Sequence, residues 1–299
     1  MGILKDLTKE YFGEKVRKED EINIDGLDVE IVSFTDKNGK KHKKGYKPKG
    51  GNVLKELLKR MVEVRGDEGD FNDIDTSDIK TMATLFKENE TFNGDISGWD
   101  VLRVKNMGCM FEGAKSFNQD ISKWEFPEVT NMEGMFKDAT SFNQPIGNWK
   151  FPKVIFMGSV FEGATSFNQP IGDWEFPNVE DMSGMFEDAT SFNQPIGNWK
   201  FPKVTNMEGM FEGATSFNQD ISKWEFPEVI NMESMFKGAT SFNQPIGNWK
   251  FPNVKIMENM FEGATSFNQD LSKWDLTDIK KKDMFKDCPI KDEHKPKMK

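Results

Sequence analysis

The chain has 299 residues, with 50 acidic against 40 basic side chains and a net charge of −10. A phosphate-binding surface needs a basic excess or stripe, so nucleic acid is not expected as a partner. With 8 Trp, 27 Phe and 18 Met the chain is too rich in large apolar side chains to be disordered, and its two cysteines make no disulfide framework.

Residues 2–18 read as an amphipathic helix. No basic start leads into a long apolar run, and Asp6 stands where a myristoylation signal has Ser or Thr. No apolar stretch approaches the ~18 residues needed to cross a bilayer. The expected location is cytoplasmic, with display at the cell surface or non-classical export as the alternative. VEIVSFTDKNGKKHKKGYK follows, and its Asn38-Gly39 pair in a β-rich run predicts a hairpin. NVLKELLKRMVEV (52–64) puts Val53, Leu54, Leu57, Leu58, Met61 and Val62 on one helical face. The expected organisation is an N-terminal helix and hairpin over 1–50, a capping helix over 51–70, repeats over 71–290 and a flexible polar tail over 291–299.

The eight tryptophans, from Trp99 to Trp274, recur every 25 residues, and two phenylalanine columns, Phe92 to Phe267 and Phe86 to Phe261, keep the same interval. That interval lies in the ~20–29 residue range of leucine-rich-repeat solenoids. Within one unit Val204, Met207, Met210, Phe211 and Ala214 form an apolar stripe at helical spacing. Ile221, Trp224, Phe226 and Val229 follow as I-x-x-W-x-F-x-x-V, and the alternation around Trp224 predicts a short strand closed by Pro227. The predicted fold is an α/β repeat: a right-handed leucine-rich-repeat-like solenoid, one short parallel strand plus one short helix per 25-residue coil, with an N-terminal α+β cap. No coil buries its own stripe, so neighbours supply the core. The helical side is expected to need more room, which bends the stack into an arc with the Trp-x-Phe strands inside. The stretch 71–82 reads as a clipped first coil and the Lys280-Lys281-Lys282 coil as a degenerate last one. Cys109 and Cys288 stand too many coils apart to bond to each other.

Few residues point to chemistry. The only histidines, His42 and His294, lie in the hairpin and the tail, and no nucleophile has a base at hand, so catalysis is not expected. Carboxylates that recur in every coil do not make the unique pair of a glycosidase. Asp70, Asp73, Asp75 and Asp78 cluster without the D-x-D-x-D-G pattern of a calcium loop. The Met pairs read as core rather than a soft-metal site, and no cofactor or metal is expected. The Asn column, Asn93 to Asn268, reads as a ladder that satisfies turn backbone, and the Trp column as core.

Two columns flank each Trp and point outward from the strand. Before it stand Gly98, Lys123, Asn148, Asp173, Asn198, Lys223, Asn248 and Lys273; after it stand Asp100, Glu125, Lys150, Glu175, Lys200, Glu225, Lys250 and Asp275. The second column alternates in sign from Glu125 to Lys250, which predicts cross-strand ion pairs of roughly 0.2–1 kcal/mol each. A surface this monotonous suits a periodic partner: a protein or other polymer, a filament, or another copy of the chain. The residues from Lys123 to Asp275 are therefore the candidate interaction face of a non-catalytic scaffold. The alternative is a structural spacer or self-assembling rod.

The unit FNQPIGNW…V.NMEGMFEGATSFNQ resembles the bacterial-surface-protein repeat, a leucine-rich-repeat-like unit of BspA-type surface proteins and lipoproteins. FNDIDTSDIKTM…FNGDISGWDV is similar to the opening of such arrays, and the resemblance covers residues 50–290. It implies a repeat protein used in binding or adhesion, often at a cell surface. This chain departs from surface members in lacking a signal peptide, lipid-attachment cysteine or wall anchor, and in carrying Phe126-Pro127 and its equivalents where relatives often have Val-Ser.

Overall fold

The computed structural model describes residues 22–297. The helix expected at 2–18 lies outside the described residues. Strands β1 (Val29–Thr35) and β2 (Lys41–Pro48) pair antiparallel, with Thr35 opposite Lys41. Gly39 turns the hairpin at φ 83°, a conformation that costs glycine little. Helix α1 (Gly51–Arg65) buries Leu54, Leu57, Leu58 and Met61, four of the six residues on its predicted apolar face. Tyr46 of β2 bridges Ile74 in parallel, so the hairpin forms the layer before the first repeat.

Successive repeats hydrogen-bond in parallel. The bridge runs from Thr81 through Asn106, Asn131, Phe156, Asp181, Asn206, Asn231 and Ile256 to Lys280. It passes through the Val-x-x-Met segment, not through Trp-x-Phe. Trp224 and Phe226 are buried and Lys223 and Glu225 exposed, as the alternation requires, but that segment forms no strand.

The helix expected in each repeat is also absent: among the described residues no α-helix follows α1, and the Met-x-x-Met-Phe segments are chains of turns. Each repeat holds two residues in the left-handed region, such as Gly209 (φ 58°) and Gly213 (φ 66°), which interrupt the right-handed path an α-helix needs. The N–H groups of Met207, Gly209, Phe211 and Gly213 donate to carbonyls of the next repeat, at 2.8–2.9 Å. Those of Met210, Glu212 and Ala214 close three-residue turns on Met207, Gly209 and Phe211. A chain of three-residue turns puts 204, 207 and 210 on one side, which is how the apolar spacing imitated a helix.

The repeat distance varies around the coil. Neighbouring strands at a bridge lie ~4.8 Å apart. Ring centroids in the Phe111–Phe136 column are 5.4 to 5.7 Å apart, and those in the Phe117–Phe142 column 5.8 to 6.1 Å. In the Trp column from Trp149 to Trp274 they are 6.3 to 6.5 Å apart. Like rings in like poses report the local rise, so the stack bends with the bridge ladder on its inner side and Trp-x-Phe on its outer side. The expected arc had these sides reversed, because the turns are narrower than helices and take less room than the Trp and Phe stacks.

Both ends are closed by the chain itself. Arg65 of α1 grips Asp73 through two hydrogen bonds of 2.7 Å, and Lys40 and Lys47 reach Asp70 and Asp78 at 2.9 and 2.8 Å. At the far end a short 3-10 helix, Asp292–His294, lies over the last repeat, and the N–H of Leu271 donates to the carbonyl of His294 at 2.8 Å. The tail expected to be flexible is thus held to the last repeat through Lys291 and His294.

Candidate interaction surface

The apolar columns are consumed by stacking. From Trp174 to Trp274 each indole N–H donates to the carbonyl of the Ile 28 residues earlier, at 3.0–3.1 Å, while the ring faces its Trp neighbours. A platform for ligand rings would have to expose faces that are here covered on both sides. The methionines Met207, Met210 and their equivalents are buried in the same core.

The asparagine column is a ladder. Asn193 Oδ1 accepts the N–H of Asn218 at 3.0 Å and the side-chain amide of Gln219 at 2.9 Å, and the pattern repeats from Asn93 to Asn243. On the last rung Asn268 Oδ1 accepts the N–H of Lys291 and meets His294 Nδ1, at 3.0 and 3.2 Å. Sequence reasoning missed this use of the tail; the signal was a histidine 26 residues after the last asparagine of the column.

Asp70, Asp73, Asp75 and Asp78 are engaged by Lys40, Arg65, Lys47 and Arg103. Among the described residues no group of three or more His, Cys, Asp and Glu is placed to hold a metal ion. His42 Nε2 pairs with Asp36 Oδ2 at 2.8 Å beneath the hairpin turn, both buried. Cys109 and Cys288 are both free. Burial and the neighbouring Glu112 push the Cys109 thiol up to about 11, which leaves it a poor nucleophile.

The predicted interaction residues lie side by side on the outer side. Lys123, Glu125, Asn148, Lys150, Asp173, Glu175, Asn198, Lys200, Lys223, Glu225, Asn248, Lys250, Lys273 and Asp275 are all exposed. Shallow notches open between successive coils here, one of about 390 Å³ floored by Trp224, Phe226 and Pro227 and rimmed by Glu225 and Lys250. From Glu125 to Lys250 the expected pairing along the column does not occur: among the described residues no ion pair joins successive members of that stretch. A rise of 6.3 to 6.5 Å at this radius holds the charges farther apart than β-strand neighbours. Ion pairs between repeats form in other columns, as between Lys153 and Glu128 at 2.6 Å and Lys137 and Glu162 at 2.7 Å. Lys123 instead donates to Asn38 Oδ1 of the hairpin turn at 3.2 Å.

One column carries a built-in electrostatic fault. Glu162, Glu187 and Glu212 follow one another, and the outer two are taken by Lys137 and Lys237 at 2.7 and 2.8 Å. Burial, with repulsion from Glu162 and Glu212, raises the Glu187 carboxyl to about 7. A carboxyl raised on folding contributes stability that is complete below about pH 4.5 and lost as pH rises through 7. Glu187→Gln is therefore expected to raise the melting temperature at pH 8, by about 1 kcal/mol of stability once solvent screening is allowed for, and to change nothing at pH 4. Thermal melts of both proteins at the two pH values check this.

Comparison with known proteins adds one finding. Residues 54–161, 144–240 and 195–295 each match the family model described as Mycoplasma protein of unknown function, DUF285. No curated protein matches the chain.

Proposed function

Because the chain belongs to this family, whose matches follow the repeats through residues 54–295, we propose that it is a non-catalytic scaffold. In this reading it is a right-handed leucine-rich-repeat-like solenoid that mediates protein–protein interaction or adhesion through the exposed columns beside each Trp. The resemblance to BspA-type surface repeats agrees with that reading. The observation that carries it is the division of labour within each coil. Every apolar column and the asparagine ladder serve the stack, while the charges from Glu125 to Lys250 project outward and form no ion pairs with one another.

The partner that suits such a surface is a protein or other polymer that repeats its own charges. The triple variant Lys150→Glu, Lys200→Glu, Lys250→Glu tests this by affinity capture from the cells that make the protein. Loss of the captured partner with an unchanged melting temperature is the expected result. Unchanged capture, or a loss of stability with binding intact, removes the proposal. Light scattering distinguishes the alternative of a self-assembling rod: it should stay flat across concentration for an interaction scaffold and rise for a rod that lengthens end to end.

A further inference from the structure

Among seven repeats with so little variation, two adjacent columns change their chemistry most. Positions 105, 130, 155 and onward to 255 read Lys, Thr, Ile, Glu, Thr, Ile, Lys, and the next column reads Asn, Asn, Phe, Asp, Asn, Asn, Ile. They are the bridge ladder itself, on the inner side of the arc. The ladder bonds run between backbone atoms, and an Asn or Asp in the second column adds a local turn bond, as Asn206 accepts the N–H of Glu208 and Asp181 that of Ser183. Phe156 can make no such bond, yet it bridges Asn131 on one side and Asp181 on the other all the same. Packing does not dictate them either, since Phe156 is 44% and Ile230 46% exposed. These are two of the four large hydrophobics exposed among the described residues. Most sister repeats carry Asn, Asp, Thr, Lys or Glu at the same places, the other apolar members being Ile155 and Ile256. An exposed apolar side chain that the fold does not need, at a position where most relatives within the same chain are polar, marks a contact.

The spacing says what fits. Phe156 and Ile230 are three ladder steps apart, ~14 Å, and the acidic pair Glu180 and Asp181 stands one step, ~5 Å, from Phe156. Along an extended peptide, side chains of one face recur every ~6.7 Å, so residues i and i+4 lie ~13 Å apart with i+2 between them. We propose that the inner ladder binds an extended peptide segment of a partner protein. Apolar side chains at i and i+4 meet Phe156 and Ile230, and a basic residue at i+2 meets Glu180 and Asp181. The inference rests on the reading of the chain as an interaction scaffold, and places a sequence-selective contact on the side opposite the repetitive outer columns.

Random heptapeptides displayed on phage, selected on the full chain, test it. The counter-target is the double variant Phe156→Asn, Ile230→Thr, which installs residues that sister repeats already carry and is expected to melt with the wild type. Enriched peptides should show apolar-x-basic-x-apolar. Once synthesised, they should bind the double variant at least about 10-fold more weakly by fluorescence polarisation. Glu180→Lys should weaken them too, and a peptide with Glu at i+2 should restore binding to that variant. Enrichment of no peptide or of another pattern, equal binding to the double variant, or a lower melting temperature of that variant each overturns the inference. Peptides lost with the Lys150, Lys200 and Lys250 substitutions but kept by the double variant would place recognition on the outer columns and overturn the inner contact alone.

Discussion

Trp199→Ala is expected to cost about 3–5 kcal/mol, the range for deleting a buried Trp or Phe side chain. Trp199 is 1% exposed and lies between Trp174 and Trp224 at 6.5 and 6.4 Å. Phe176 stands edge-on to it at 4.8 Å, and its indole N–H holds the carbonyl of Ile171 at 3.1 Å. The loss extends beyond one cavity, because each repeat is held only by its neighbours. Denaturant unfolding should therefore split into two transitions, one for each side of the break. Trp199→Phe keeps a ring in the stack but removes one of the two hydrogen bonds to the Ile171 carbonyl, which still accepts the Trp174 N–H, and should cost about 0.5–1.5 kcal/mol in addition to the change in packing. Trp124 supplies an internal control. Its indole N–H is buried with no hydrogen-bond partner, so Trp124→Phe relieves an unsatisfied donor and should be milder than Trp199→Phe. Equal costs at the two positions would show that the indole bonds contribute nothing.

Excising residues 165–189, one whole period, is expected to leave a folded protein, because Ala164 then runs into Thr190-Ser191-Phe192 as it now runs into Thr165-Ser166-Phe167. From Trp149 on every remaining Trp still meets a Trp, every Asn of the ladder still meets an Asn, and the array loses one unit and one interface of a nearest-neighbour stack. Both caps stay in place, so circular dichroism and a cooperative melt within several degrees of the wild type should persist. Excising residues 165–177 instead brings different columns into contact. Turn N–H groups face no carbonyl partner, and the Trp column ends against smaller side chains. The expected outcome is loss of the cooperative transition and aggregation. A folded half-period variant, or an unfolded whole-period one, would contradict stacking in register.

The repeat, its landmarks and its buried columns were legible because a 25-residue period repeated many times averages out local accident. The same evidence misled on local structure. Residues such as Val204, Met207 and Met210 suit a helix, and nothing in their apolar spacing separates a helix from three-residue turns. The distinguishing signal was the column of Gly, Ser, Cys and Asn that holds Cys109, Ser159, Gly209 and Asn259, all at φ between 55° and 59°. The columns beside Trp are exposed from Lys123 to Asp275, as their alternation requires, but Gly98 is buried and Asp100 half-buried beside the hairpin, where the Lys37 N–H donates to the Gly98 carbonyl, and the expected pairing does not form from Glu125 to Lys250. Contact depends on the rise at that radius, which the chain sets through the thickness of its ring stacks. The ladder columns around Phe156 and Ile230 passed unnoticed because they do not repeat, and the period drew attention to what does.

Composition and period alone establish that this chain is a repeat array with Trp, Phe and Met inside and charge outside, since only burial against a neighbour can cover so many large side chains. They also locate the hairpin and α1 at the start. Which segment carries the inter-repeat hydrogen bonds, which way the array bends, and how both ends are closed follow from contacts between residues 24 to 28 positions apart. Those contacts depend on backbone turns at left-handed residues and on unequal ring thicknesses, quantities that exist only once one repeat rests on the next.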